Sequence, residues 1–170
     1  MLIRTATSAD AREIAHVHVE SWRAAYRGQI PEAILERLDM ERRTTFFLER
    51  LTVDRGAVFV AEDGSGNMVG YCDLIPSRDK DADSNEVAEI AAIYVLPQHW
   101  RKGAGSALCL NALAEARRRG YKVVTLWVLA SNDAAKGFYK AMGFGLDGTT
   151  KTEKMSDGHE LKEVRFRMAV

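Results

Sequence analysis

Val87 to Leu96 is an apolar run broken by one charged residue, Glu89. It ends at Pro97, and six residues later come Gly103-Ala104-Gly105 and a helix-forming stretch. This order of buried strand, short loop, paired glycines and helix constrains the fold more than any other segment. The helix runs from Gly103 to Arg119 and stops at Gly120. Its basic last turn, Arg117-Arg118-Arg119, suits the negative end of a helix dipole and needs no ligand. Glycines allow close backbone approach, and the free N–H groups of a helix start attract anions. With Arg101 and Lys102 beside them, these groups form a cradle suited to phosphate or pyrophosphate. There is no Gly-x-x-x-x-Gly-Lys-Ser/Thr, and Leu108 stands where a dinucleotide fingerprint needs its third glycine. A helix packed closely on a sheet through small residues would produce the same turn without any ligand.

The remaining segments place this unit inside a mixed sheet. Leu2 to Ala6 reads as a strand, with Ser8 and Asp10 as helix caps. Ile14, Ala15, Val17, Val19, Trp22, Ala25 and Tyr26 follow at mainly helical spacing. Gly28 ends that helix, Pro31 opens a short second one with Ile34, Leu35 and Leu38, and Arg42 to Leu51 forms a third. Ala57 to Ala61 and Met68 to Ile75 are strands joined by the hairpin turn Asp63-Gly64-Ser65-Gly66-Asn67. Pro76 to Asn85 is polar and reads as a mobile loop. Lys122 to Leu129 is a strand, Asn132 starts a helix ending at Met142-Gly143-Phe144, and two strand-like stretches, Gly145 to Met155 and Glu160 to Val170, close the chain. The predicted class is α/β: a mixed, mostly antiparallel sheet flanked by helices, in one domain spanning residues 1–170.

Composition narrows the function. Lys plus Arg and Asp plus Glu each number 24 in 170 residues, so the formal net charge is zero, which argues against a dedicated nucleic-acid binder. Cys72 and Cys109 sit in apolar runs with no neighbouring cysteine and read as buried small hydrophobes. No basic, then apolar leader and no membrane-length apolar run is seen, so a cytoplasmic protein without membrane association is expected. His16 and His18 point to different faces of one helix, and His99 and His159 have no ligand-spaced partner, so no metal is expected. No Gly-x-Ser-x-Gly elbow supports a serine hydrolase.

Val95-Leu96-Pro97-x-x-Trp100-Arg101-Lys102-Gly103-x-Gly105-Ser106-Ala107-Leu108 resembles the acetyl-CoA-binding motif of the GNAT superfamily of N-acyltransferases. A second block, Leu126 to Asn132 followed by Phe138-Tyr139 and Met142-Gly143-Phe144, resembles that family's next motif, in order and at suitable spacing. The opening Ile3-Arg4-x-Ala6-x-x-x-Asp10 resembles its first strand and helix. The likeness extends over nearly the whole chain, although the diagnostic motifs fall within about 87–144. Trp100 departs from it, since the family has Gln or Arg there.

The resemblance implies a GNAT-like fold and acetyl transfer from acetyl-CoA to a primary amine by direct attack. It places the pantetheine arm against the backbone of Ile93, Tyr94 and Val95, one of whose N–H groups would polarise the acetyl carbonyl. It places the pyrophosphate on the backbone of Arg101, Lys102, Gly103, Ala104, Gly105 and Ser106, and Asn132 on the pantetheine arm. Asn132 also reads as a helix N-cap. Glu89 is the candidate base, acting through a water: a carboxylate in an apolar strand is costly unless it faces a polar cleft or a partner, and a salt-bridged carboxylate is the competing reading. Glu86 is the weaker alternative. Tyr139 is the candidate acid, because a tyrosine pKa of ~10 keeps the hydroxyl protonated at neutral pH.

Trp22, Tyr26 and Trp127 are candidate walls of the acceptor pocket, with core packing as the alternative. Asp73, Asp79, Asp81 and Asp83 would draw a cationic acceptor, although a solvated loop is the default for the last three. A non-catalytic acyl-CoA sensor, and O-acetyl or longer-acyl transfer, are the competing functions. A small-molecule or peptide amine is the expected partner. Many relatives of this fold form homodimers, and the sequence holds no decisive interface pattern.

Overall fold

The computed structural model describes residues 1–155 and 157–170. Seven strands form one sheet: β1 (Leu2–Thr5), β2 (Ala57–Glu62), β3 (Met68–Pro76), β4 (Val87–Val95), β5 (Val123–Leu129), β6 (Gly145–Lys154) and β7 (Glu160–Ala169). Five α-helices join them: α1 (Ala11–Ala25), α2 (Glu32–Glu36), α3 (Met40–Thr52), α4 (Ala104–Arg118) and α5 (Asp133–Ala141). The strand order is β1-β2-β3-β4-β5-β7-β6, and β4–β5 is the parallel pair among antiparallel ones. The expected mixed sheet is present, with β7 folded back between β5 and β6.

Period and burial agree along α4. Its buried residues Ala104, Leu108, Ala112 and Ala116 recur every four positions, so one face packs on the sheet. Small residues bring the helix close. A Cβ at Gly70 of β3 would lie 2.9 Å from the Tyr94 carbonyl oxygen and 3.2 Å from Leu108 Cδ1. Gly70→Ala therefore costs about 1–3 kcal/mol of stability through overpacking, read from the midpoint of a urea melt.

On the other sheet face α1 and α3 cover Val58, Val60 and Tyr71 around Phe47. The start of α1 differs from expectation. Thr7, not Ser8, forms a capping box with Asp10, and the Asp10 carboxylate accepts a bidentate pair from Arg4 at 2.8 Å. Arg4 holds the Asp10 carboxyl down at about 2.

The Pro76–Asn85 segment is tethered rather than free. Arg165 of β7 donates to Asp79 at 3.1 Å and to Asp81 at 2.8 Å, and the same guanidinium donates to Asp147 of β6. The Trp127 indole donates to Asp79 at 3.0 Å. Asp79 and Asp81, two of the residues that suggested a solvated loop, are instead ion-paired to the sheet beneath it.

Candidate functional site

β4 and β5 pair only through Val87–Glu89 and Val123–Thr125, although both strands run on for several residues. Beyond that point they separate. The onset coincides with a bulge: Leu74 of β3 faces Ile90 and Asp73 faces Ala92, leaving Ala91 extra. Ala91 is exposed in the middle of a central strand because the sheet has opened beside it.

The opening is a cleft of about 840 Å³, within the range of small-molecule sites. Its walls are Ile93 to Val95, the first turn of α4, Trp127 to Leu129, the first turns of α5 with Phe138 and Tyr139, and the end of α1 with Ser21, Tyr26 and Gln29. Backbone direction alternates along a strand. Leu96 N–H donates to Val69 on β3, so Tyr94 also turns its backbone toward β3, while Ile93 and Val95 turn theirs into the gap. Of the three residues expected to present backbone groups there, Ile93 and Val95 do so. Tyr94 instead contributes its ring, with its hydroxyl 3.0 Å from that of Tyr26.

Arg101 has φ 58°, the left-handed region that non-glycine residues rarely adopt, and Gly103 has φ 88°. Two such residues next to a helix start are a device for turning backbone amides toward an anion. Arg101, Gly103, Gly105 and Ser106 line the cleft. Lys102 and Ala104 are not on its wall: the Lys102 side chain is exposed, and the Ala104 methyl is buried in the core beneath α4. Trp100 is half exposed on the cleft wall, and its indole donates to the Val95 carbonyl at 2.6 Å. Ser21 Oγ donates to the same oxygen at 3.0 Å. The departing residue has thus become a prop for the open edge of β4. Sequence reasoning missed Ser21, which carries no motif and reaches β4 only through the packing of α1.

Asn132 lines the cleft and caps α5, its Oδ1 accepting from Ala135 N–H at 3.0 Å. The helix-cap reading holds, and the residue stands on the cleft wall. Tyr139 lines the cleft and is 9% exposed, and burial pushes its hydroxyl pKa well above the ordinary value. It therefore stays protonated.

Glu89 is 2% exposed, on the sheet face away from α4, but it is not part of the cleft wall. Arg78 clamps it, with Nη2 at 2.5 Å from one oxygen and Nε and the backbone N–H each at 3.2 Å from the other. The partner of this buried charge is a residue of the loop that precedes β4. Glu86 pairs with Lys122 at the surface. Asp73 is held by Arg50 of α3 at 2.6 Å. Asp83 accepts from the Asn85 backbone.

Tyr26 and Trp127 stand on the cleft wall. Trp22 does not. It lies behind Tyr26, ring centroids 4.9 Å apart, and stacks on His18 at 5.2 Å. This is the core-packing alternative. Cys72 and Cys109 are both buried, and burial pushes the Cys109 thiol up to about 12 and Cys72 well above its ordinary value. Among the described residues no helix is long and apolar enough to cross a membrane.

Residues 13–144 match the model of the acetyltransferase (GNAT) family. The uncharacterized N-acetyltransferase YuaI of Bacillus subtilis (strain 168) is 32% identical over 139 residues, 82% of this chain and 77% of its own. The uncharacterized N-acetyltransferase Rv2669 of Mycobacterium tuberculosis (strain H37Rv) is 33% identical over 162 residues, 95% of this chain and 99% of its own. Among solved structures, PaiA N-acetyltransferase from Thermoplasma acidophilum in complex with coenzyme A superposes with TM-score 0.78 at 21% identity, covering 99% and 98% of the two chains. YncA from Salmonella typhimurium with its cofactor acetyl-CoA gives 0.75 at 24% identity, covering 99% and 93%.

Proposed function

The chain belongs to the GNAT acetyltransferase family, and from that premise we propose that it moves the acetyl group of acetyl-CoA to a primary amine by direct attack in a ternary complex. The observation that carries this reading is the cleft itself. A splayed β4–β5 pair turns the backbone N–H groups of Ile93 and Val95 into the gap, and a helix start with the polarity to take an anion stands at the same opening, at Gly103–Ser106. A long ligand with a phosphate end and an amide arm fits that combination.

In this reading the first-turn amides of α4 and the Arg101 side chain hold the pyrophosphate. The backbone of Ile93 and Val95 pairs with the pantetheine arm, and the Ile93 N–H polarises the acetyl carbonyl. Asn132 keeps its amide nitrogen for the arm while its oxygen caps α5. Tyr139 donates its proton to the departing thiolate as the carbon–sulfur bond breaks and the carbon–nitrogen bond forms. Glu89, oriented by Arg78, takes the proton of the amine through water. The two cysteines are too buried and too weakly acidic to act as acyl carriers, which supports attack without a covalent acyl-enzyme.

The test has two arms. Calorimetry measures acetyl-CoA binding, and a free-CoA release assay across a panel of amines, with mass detection, measures transfer. Saturable production of an acetylated amine, impaired in Glu89→Gln with acetyl-CoA affinity retained, is the expected result. Tight acetyl-CoA binding with no turnover on any amine would favour the non-catalytic sensor.

A further inference from the structure

Cross-strand register sets Glu163 of β7 opposite Leu129 of β5 on one side and Lys151 of β6 on the other. Directly paired residues share a sheet face, and side chains alternate along each strand, so Glu163 lies on the same face as Leu129 and Trp127. Both of those residues line the cleft. Glu163 Oε2 is buried and has no hydrogen-bond partner among the described residues. Lys151 Nζ, 3.3 Å away, is its ion-pair partner. The same ammonium stands 4.3 Å from the centre of the Trp127 ring.

These features set a buried carboxylate oxygen, paired to the Lys151 ammonium, beside the face of an indole, which is the chemistry that binds an ammonium. Burial raises the Glu163 carboxyl above the ordinary range, and Lys151 only partly offsets that. Glu163 itself is not on the cleft wall; its register partner Leu129 is. Lys151 itself extends from an edge strand and is 41% exposed, so solvent is open to it as an alternative. It marks a place for a cation without completing it.

We propose that Glu163 anchors a second, non-reacting cationic group of the acceptor, which takes the position that the Lys151 ammonium half fills. The inference rests on the acetyl-transfer reading and narrows its acceptor to a small amine with a second basic centre. The reacting nitrogen must reach the β4–β5 gap, whereas Glu163 lies on the next strand beyond β5. At about 4.8 Å per strand the two nitrogens are roughly 5–10 Å apart, the reach of about four to six carbons.

The probes are 1,5-diaminopentane and n-pentylamine, which differ in the second ammonium. Their binding to the protein saturated with CoA is measured by calorimetry for the wild type, Glu163→Gln and Lys151→Gln, with acetyl-CoA affinity and circular dichroism checked for each. The wild type is expected to prefer the diamine by about tenfold. Glu163→Gln brings the two amines level, and Lys151→Gln widens the preference by clearing the carboxylate. Equal binding in the wild type, binding of neither amine, or a preference that survives Glu163→Gln overturns the anchor while leaving the acetyl-transfer reading intact. A purely structural Glu163–Lys151 pair would leave the diamine-to-monoamine ratio unmoved in both variants, which also overturns it. Failure of the wild type to bind acetyl-CoA would sink the acetyl-transfer reading, and the anchor with it.

Discussion

Tyr139→Phe lowers kcat for acetyl transfer by roughly 10²–10⁴-fold, the usual contribution of a positioned proton donor, and leaves acetyl-CoA affinity unchanged. The ring is what holds the residue in place. It packs against Phe138 at 5.0 Å, Phe144 at 5.8 Å and Phe166 at 6.2 Å between centroids, and phenylalanine keeps those contacts. Only the hydroxyl is lost. Burial raises its pKa well above the ordinary tyrosine value, so it is a donor throughout the neutral range and sets no rate limb there. The loss is expected in single-turnover rates as well as at steady state, because the proton is needed when the carbon–sulfur bond breaks. An unchanged single-turnover rate would remove Tyr139 from the chemistry and return it to the core.

Stability is expected to fall as pH drops below about 6.5, and one buried imidazole accounts for the upper part of that loss. His18 is 6% exposed among Trp22, Phe47, Tyr71 and Tyr94, with Nδ1 2.7 Å from the Tyr71 hydroxyl. Burial, helped by Arg43, lowers its pKa from 6.5 to about 3. The unfolded chain therefore takes up a proton below pH 6.5 that the folded chain refuses until about pH 3. Its stability contribution is intact above 6.5 and is lost as pH falls toward 3, at about 1.4 kcal/mol per unit, or ~3 kcal/mol by pH 4.5. Arg4-bound Asp10 and Arg118-bound Glu115, both lowered to about 2, act in the same direction but only below the ordinary carboxylate range. Urea unfolding at several pH values separates the two windows. His18→Phe should flatten the curve between pH 6.5 and 4.5 while leaving the steeper acid loss. It should also lower stability at neutral pH by about 1–3 kcal/mol, because the Tyr71 hydroxyl loses its partner. A curve that keeps its slope in His18→Phe would assign the proton uptake elsewhere.

Elements with a clear period were readable from the residues. The four-residue recurrence in α4, the hairpin between β2 and β3, and the strand–loop–glycine–helix unit from β4 to α4 all stand where the sequence placed them. Asn132 and Tyr139 reached the cleft because a helix start and a residue two turns later have a fixed geometric relation. The residues that sequence reasoning misplaced depend on partners far along the chain. Trp22 and Tyr26 share a helix face, yet only Tyr26 reaches the wall, where its hydroxyl meets that of Tyr94, while Trp22 stacks on His18. Asp79 and Asp81 looked like solvated loop residues because Arg165, their partner, follows more than eighty positions later.

Local rules thus determined the elements, the glycine turn before α4 and the family likeness, since hydrophobic period, glycine placement and motif spacing are all written within a few residues. Only the tertiary structure decided that β4 and β5 part after Glu89, that Arg78 takes the Glu89 carboxylate, and that β7 inserts beside β5 and sets Glu163 opposite Leu129. Each of these is a pairing of distant segments. It is set by which backbone edges and charges remain to be satisfied once the rest of the sheet has formed, and no short window of sequence carries that information.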